Sequence, residues 1–272
     1  GRGAELSAGS AAELGGKMAD QSWWSLAGAA FTGAGSFAAI ELIYKEVKDW
    51  RSGRRDQART IDVSLEPLLR ATDELAGKLR SLAESDFLPL RRKADYTLAD
   101  TEVASIIYLF VQFWAEVESV RFRSLSGEIA RSEKGKQTQA FMNCLQSRRV
   151  RLIDRISQRA LGEAALIDGR TMNFVEFIRS AESDPLIDRW LAPLTSVLSG
   201  LDDTESRQRI LQFFVVLHAL IDVLDPQHLV TRDRPGIPNK LNKVSKKALI
   251  YRIFGVYLKS VASPGKYVGP LN

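Results

Sequence analysis

Apolar positions recur every three to four residues along most of the chain, the period of a helix with one buried face. Val63, Leu65, Leu68, Leu69, Leu75, Leu79 and Leu82 make the first such stripe. Pro67 falls near its start, where the ring is tolerated. Residues 86–100, with Pro89 and the run Arg91-Arg92-Lys93, read as a loop. Asp100 or Thr101 can then cap a helix reaching about residue 130. Its stripe of Val103, Ile106, Ile107, Phe110, Phe113, Trp114, Val117 and Val120 is the widest in the chain. A fourth helix is expected over residues 134–166 through Phe141, Leu145, Leu152, Ile153, Ile156 and Leu161, with a break around Gly169. Shorter helices follow at 174–180 and 185–198, the second kinked by Pro193. Thr204 can cap a helix over 205–224, which Asp225-Pro226 ends. Residues 231–239 read as a loop, and 240–260 as a basic amphipathic segment. No alternating strand pairs and no internal repeat are visible. The reading is all-α, an irregular helical bundle over residues 61–230.

Upstream the pattern changes. Residues 23–40 carry no charge, and extension to Tyr44 adds only Glu41. About 20 residues at about 1.5 Å each cross a hydrocarbon core of about 30 Å. Trp23 and Trp24 mark one end and Tyr44 the other, as interfacial aromatics do. Lys45, Lys48, Arg51, Arg54, Arg55 and Arg59 follow, so residues 45–60 read as a basic juxtamembrane stalk. The positive-inside rule then sets the N-terminus outside and the bulk in the cytoplasm. Residues 1–22 read as a disordered segment rich in small residues, with Met18 as a native start. Ala29/Gly33 and Gly35/Ala39 have the spacing that lets two spans pack closely. A signal peptide is the main rival to the span, but the segment lacks a basic leading region and a clear cleavage site. A buried helix of a soluble protein is the other alternative.

Composition narrows this little: 45% hydrophobic and 26% charged residues are ordinary globular values. The net charge of +5 is compatible with a membrane-proximal or nucleic-acid-associated protein, and one cysteine, Cys144, excludes an internal disulfide. Cys144 sits among Phe141, Met142 and Leu145 and reads as a buried structural thiol. No serine elbow, P-loop or dinucleotide fingerprint is present, and nothing calls for a cofactor or assigns a catalytic residue. Glu116 and Glu118 are two positions apart on the strongest helix, so one is expected in solvent and the other paired with Arg121 or Arg123. His218, Asp222, Asp225 and His228 are the sharpest metal candidates, because spacings of four and three put the first three on one helical face and His228 can fold back after Pro226. The surrounding FFVVLHALIDVL is core-forming, and a buried His218 bonded to a carbonyl or to Asp222 explains it as well. Arg148, Arg151, Arg155 and Arg159 recur at helical spacing, with Arg149 beside them, as a face for the phosphates of nucleic acid or lipid head groups, or as a solvated face partly paired with acids from other helices. Lys246, Lys247 and Arg252 in the C-terminal segment suit an anionic membrane interface, and suit equally a last helix docked on the bundle.

The segments YLFVQFWAEVESVRFRSL (108–125) and LHALIDVLD (217–225) resemble a family of uncharacterised bacterial proteins. That resemblance implies one N-terminal span and a helical cytoplasmic portion, and carries no activity or residue role. The leading expectation is a single-span membrane protein whose helical domain binds a protein partner, itself included. A membrane-tethered sensor or metalloenzyme built on His218 and Asp222 is the second. A basic nucleic-acid binder using the arginine stripe is the third.

Overall fold

In a computed structural model, residues 62–91, 93, 96–123 and 132–271 are described. The chain divides between Thr60 and Ile61. The expected span at 23–44, the stalk at 45–60 and the segment 1–22 therefore lie outside the described residues, as does the end of the helix expected to reach residue 130.

Helix α1 covers residues 62–84 and turns Leu65, Leu68, Leu69, Leu75, Leu79 and Leu82 inward, while Val63 alone of the expected stripe stays in solvent. It ends in a turn where Asp86 and Phe87 both have positive φ, at 51° and 58°. Burial of the Phe87 ring and a Phe87 N–H bond to the Leu82 carbonyl hold this costly geometry. The expected loop then contains a single helical turn, α2 (Leu88–Arg91).

Helix α3 (Thr101–Arg123) is the centre of the bundle. Asp100 starts it, its Oδ1 accepting the N–H groups of Glu102 and Val103. Among the described residues, Thr101–Phe122 is the one helix long and apolar enough to cross a membrane, with a mean hydropathy of 1.4. Of its most apolar window 78% is buried inside the protein, so neighbouring helices cover this face. Glu116 and Glu118, expected to separate into one solvated and one paired group, are both buried. Glu116 accepts a 2.5 Å hydrogen bond from Thr171, and Glu118 pairs with Arg121 at 2.7 Å.

The helix expected over 134–166 is two helices, α4 (Glu133–Leu145) and α5 (Arg155–Ala164). The cause is local hydrogen bonding. Asp154 offers Oδ1 to the N–H groups of Ile156 and Ser157, which starts a new helix, and Gln146 to Val150 form the turn before it. Val150, Leu152 and Ile153 remain buried because the linker itself packs into the core. Gly162 lets α5 lie against α3: a Cβ there would stand 2.7 Å from the Trp114 carbonyl oxygen. The break around Gly169 is a small hairpin, β1 (Leu166–Ile167) against β2 (Arg170–Thr171), antiparallel. Its two turn residues, Asp168 and Gly169, both take positive φ, as a two-residue hairpin turn requires.

Asn173 and Glu176 form a reciprocal capping box that opens α6 (Phe174–Ser183). Helix α7 (Pro185–Ser199) begins with proline in its first turn and contains Pro193. A 3₁₀ turn, Gly200–Asp202, leads to α8 (Thr204–Leu224), whose cap is Asp203 instead of the expected Thr204. Helix α8 is buried almost all round from Phe213 to Ile221. After a loop and a second 3₁₀ turn (Pro238–Lys240), α9 (Lys243–Lys247) runs into a π-helical stretch, Ala248–Phe254. A last turn, α10 (Gly265–Val268), folds back on α8 and was not foreseen in the sequence. Apart from that one two-residue pairing, the described residues are helix and loop. The fold is an all-α bundle.

Candidate functional site

Helix α8 positions two polar assemblies, one at each end. Around its start lies an open cavity of about 670 Å³. Three chain segments wall it: the turn before α5 through Arg148 and Arg149, α8 through Arg209, and the α9–π segment through Arg252. The walls are stapled together by polar contacts. Gln208 donates to the Lys240 carbonyl and accepts from the Asn242 N–H, both at 2.9 Å, and Gln212 donates to the Ser245 hydroxyl. Arg209 reaches back to the Arg151 carbonyl at 3.1 Å, fixing the arginine-bearing turn on α8.

The electrostatics are one-sided. Four guanidinium groups face the cavity against two carboxylates, Asp203 and Glu205. Asp203 is occupied in capping: it accepts from the Ser206 N–H at 2.8 Å, and this bond holds its carboxyl below the usual range. Arg148, Arg149 and Arg252 are exposed and make no hydrogen bond or ion pair with any described residue. Like charges gathered around one concavity repel, and an anion relieves that repulsion. Guanidinium forks match the paired oxygens of phosphate or carboxylate, and the first turn of α8 adds a favourable dipole.

This regroups the phosphate-contact candidates. Arg148, Arg151, Arg155 and Arg159 do not form one helical face, because the chain turns between α4 and α5. Arg148 faces the cavity. Arg151 lends its carbonyl to Arg209, and Arg155 stands exposed in the first turn of α5. Arg159 is committed to Glu163 at 3.2 Å and lies 3.7 Å from Glu118. Of the C-terminal candidates, Arg252 lines the cavity. Lys246 donates to the Pro270 carbonyl, and Lys247 projects into solvent. Arg209 and Gln208 were not singled out in the sequence. Their partners are 57 and 32 residues away or more, and no local pattern reports such pairings.

The metal candidates sit at the other end of α8. The Asp222 Oδ1 atom is buried, and His218 Nε2 and His228 Nε2 each lie 3.8 Å from it. Its other oxygen is held by Lys266 at 2.6 Å. His218 is buried under Tyr267, edge to face at 5.4 Å, and donates to the Arg234 carbonyl. Burial pushes its imidazole below the ordinary range, partly offset by Asp222. Asp225 does not join the cluster. It accepts from the N–H groups of Leu229, Val230 and Thr231 and from the Thr231 hydroxyl, all within 3.0 Å. Burial works to raise its pKa, and these four donors together hold it below the usual range. Among the described residues no three His, Cys, Asp or Glu side chains converge as a metal cage. A protein ammonium, Lys266, neutralises Asp222, and the cluster docks α10 against α8. Cys144 is fully buried, and burial pushes its thiol up to about 12.

What these elements define is an all-α domain with an open, arginine-walled recess. The chain matches no protein-family model, no curated protein and no solved structure.

Proposed function

We propose that this chain is a membrane-tethered helical binding domain that recognises an anionic group in the recess at the start of α8. On this reading residues 23–44 hold the chain at a bacterial inner membrane, and residues 61–272 lie on the cytoplasmic side. The observation that carries the binding role is the set Arg148, Arg149 and Arg252, contributed by separate segments and unpaired among the described residues around one cavity. Gathering cations without partners costs folding energy, and recognition of an anion offsets that cost. A protein partner fits through a phosphorylated or acidic side chain, a small ligand through its own phosphate or carboxylate.

Isothermal titration of the full chain with inorganic pyrophosphate tests the recess. Binding that weakens with salt and is lost in Arg148→Glu/Arg252→Glu supports the reading. Heat no different from a sodium chloride blank removes it. Extraction of expressed membranes with alkaline carbonate tests the tether: release only by detergent supports it, and a fully soluble chain ends it.

A further inference from the structure

The last 39 residues, 234–272, hold eight of the 38 Lys and Arg residues and none of the 33 Asp and Glu. The 233 residues before them hold 30 cations against 33 acids, so the whole positive excess sits at this end. Four of the eight cations are tied down. Arg234 pairs with Asp73, Lys266 with Asp222, and Lys240 and Lys246 donate to the carbonyls of Glu84 and Pro270. The other four, Lys243, Lys247, Arg252 and Lys259, are exposed and without a partner among the described residues.

The same stretch carries exposed apolar side chains. Leu249, Ile253, Phe254 and Leu258 are buried and anchor it to the bundle. Val244, Tyr251 and Val256 remain 75%, 63% and 57% exposed. Docking on the bundle therefore uses only one side of the segment. Its outer side mixes aliphatic and aromatic groups with unpaired cations and no acid, the composition of a surface that lies in a membrane interface. The outer side is continuous with the recess, since Val244 and Arg252 also line the cavity with Arg148, Arg149 and Arg209.

We propose that residues 243–259, together with the recess, dock on an anionic lipid surface, with the recess taking a lipid phosphate. This rests on the anion-binding reading of the recess and names its ligand. A nucleic-acid backbone would satisfy the arginines but leaves Val244 and Val256 without a role. A lipid interface uses both, with apolar groups below the head groups and cations at their level.

Because Cys144 is buried, Tyr251→Cys gives the full chain one reactive thiol for a polarity-sensitive dye. The labelled chain is reconstituted with vesicles of phosphatidylcholine alone or with one third phosphatidylglycerol. The expected result is a blue shift only with phosphatidylglycerol, reversed by high salt. The equilibrium for docking the labelled segment, read from that shift, should fall about fivefold for each of Lys243→Gln, Lys247→Gln and Lys259→Gln. Identical emission in both vesicles overturns the lipid proposal. If pyrophosphate still binds in that case, the recess is an anion site for a soluble ligand. If pyrophosphate also fails, the reading it rests on falls with it. A phosphatidylglycerol shift that survives all three glutamine substitutions together also overturns it, because these cations are then not what the surface sees.

Discussion

Lys266 Nζ lies 2.6 Å from Oδ2 of Asp222, and this contact joins the last helical turn of the chain to the C-terminal end of its most buried helix. The Asp222 side chain is only 9% exposed, so its oxygens rely on protein partners in place of water. Of these, Lys266 is the one permanent cation.

Lys266→Met should therefore cost about 1–2 kcal/mol of stability, a charged hydrogen bond discounted for the exposure of the lysine. The loss should be local as well as global. Amide exchange at Tyr267 and Val268 should accelerate more than exchange within α3. Urea unfolding read alongside hydrogen exchange checks both, and an unchanged midpoint would show that Asp222 finds its compensation elsewhere.

His218 gives a pH dependence with a definite sign. Burial lowers its folded-state pKa below the ordinary value near 6.5, so the unfolded chain takes up the proton more readily. Its contribution is fully present above about pH 7 and is lost as pH falls through 6.5 toward the lower folded value. His218→Gln should flatten the stability profile between about pH 7 and 5 relative to the parent chain. Parallel urea titrations at three pH values in that window test this. A steeper acid-side slope in the variant would reverse the sign and defeat the argument.

Gly162 sets a close approach of α5 to α3. A methyl group there meets the Trp114 carbonyl at 2.7 Å, and backbone on both sides cannot step aside cheaply. Gly162→Ala should destabilise by about 1–3 kcal/mol despite alanine's better helix propensity. Gly265, in α10, has nothing within 4 Å of the added atom and no positive φ, so Gly265→Ala is the control and should change stability by less than about 1 kcal/mol. Comparing the two denaturation midpoints isolates the steric cost.

What was legible in the sequence was what is written locally. The stripes of α1 and α3 and the core-forming run FFVVLHALIDVL of α8 identify helices whose named leucines, isoleucines and phenylalanines are buried. The Asp100 cap and the Asp225-Pro226 stop also follow from neighbouring residues. The cut between α4 and α5 was missed because Arg148, Arg151, Arg155 and Arg159 keep helical spacing across a turn. The signal for that turn, Asp154 capping Ile156 and Ser157, is one side chain against a longer periodic run. The recess was out of reach for a different reason: Arg148, Arg209 and Arg252 converge only through contacts such as Arg209 to Arg151 and Gln208 to Lys240. His218 and Asp222 stand one turn apart on α8, while Asp225, just past the helix, turned to the N–H groups of the following loop. Spacing says which side chains can meet, and competing donors decide which do.

The divided arginine stripe makes the last prediction. Arg155 and Arg159 are one helical turn apart on α5, but only Arg159 lies near Glu118, at 3.7 Å. Burial raises the Glu118 pKa, and Arg121 and Arg159 act against it. A raised carboxylate pKa means that stability is greatest below the unfolded value near 4.5 and is lost as pH rises through the folded value. Arg159→Met removes one of the opposing cations and should raise the folded pKa further, enlarging that loss at neutral pH. The difference between variant and parent should be about 1–2 kcal/mol at pH 7 and should narrow below about pH 4, where Glu118 is protonated in both. Arg155→Gln should be neutral within about 0.5 kcal/mol at either pH, because its side chain is exposed. If both substitutions cost the same and show no pH dependence, the two arginines act as one solvated face, and the coupling of Arg159 to the Glu118 carboxyl is wrong.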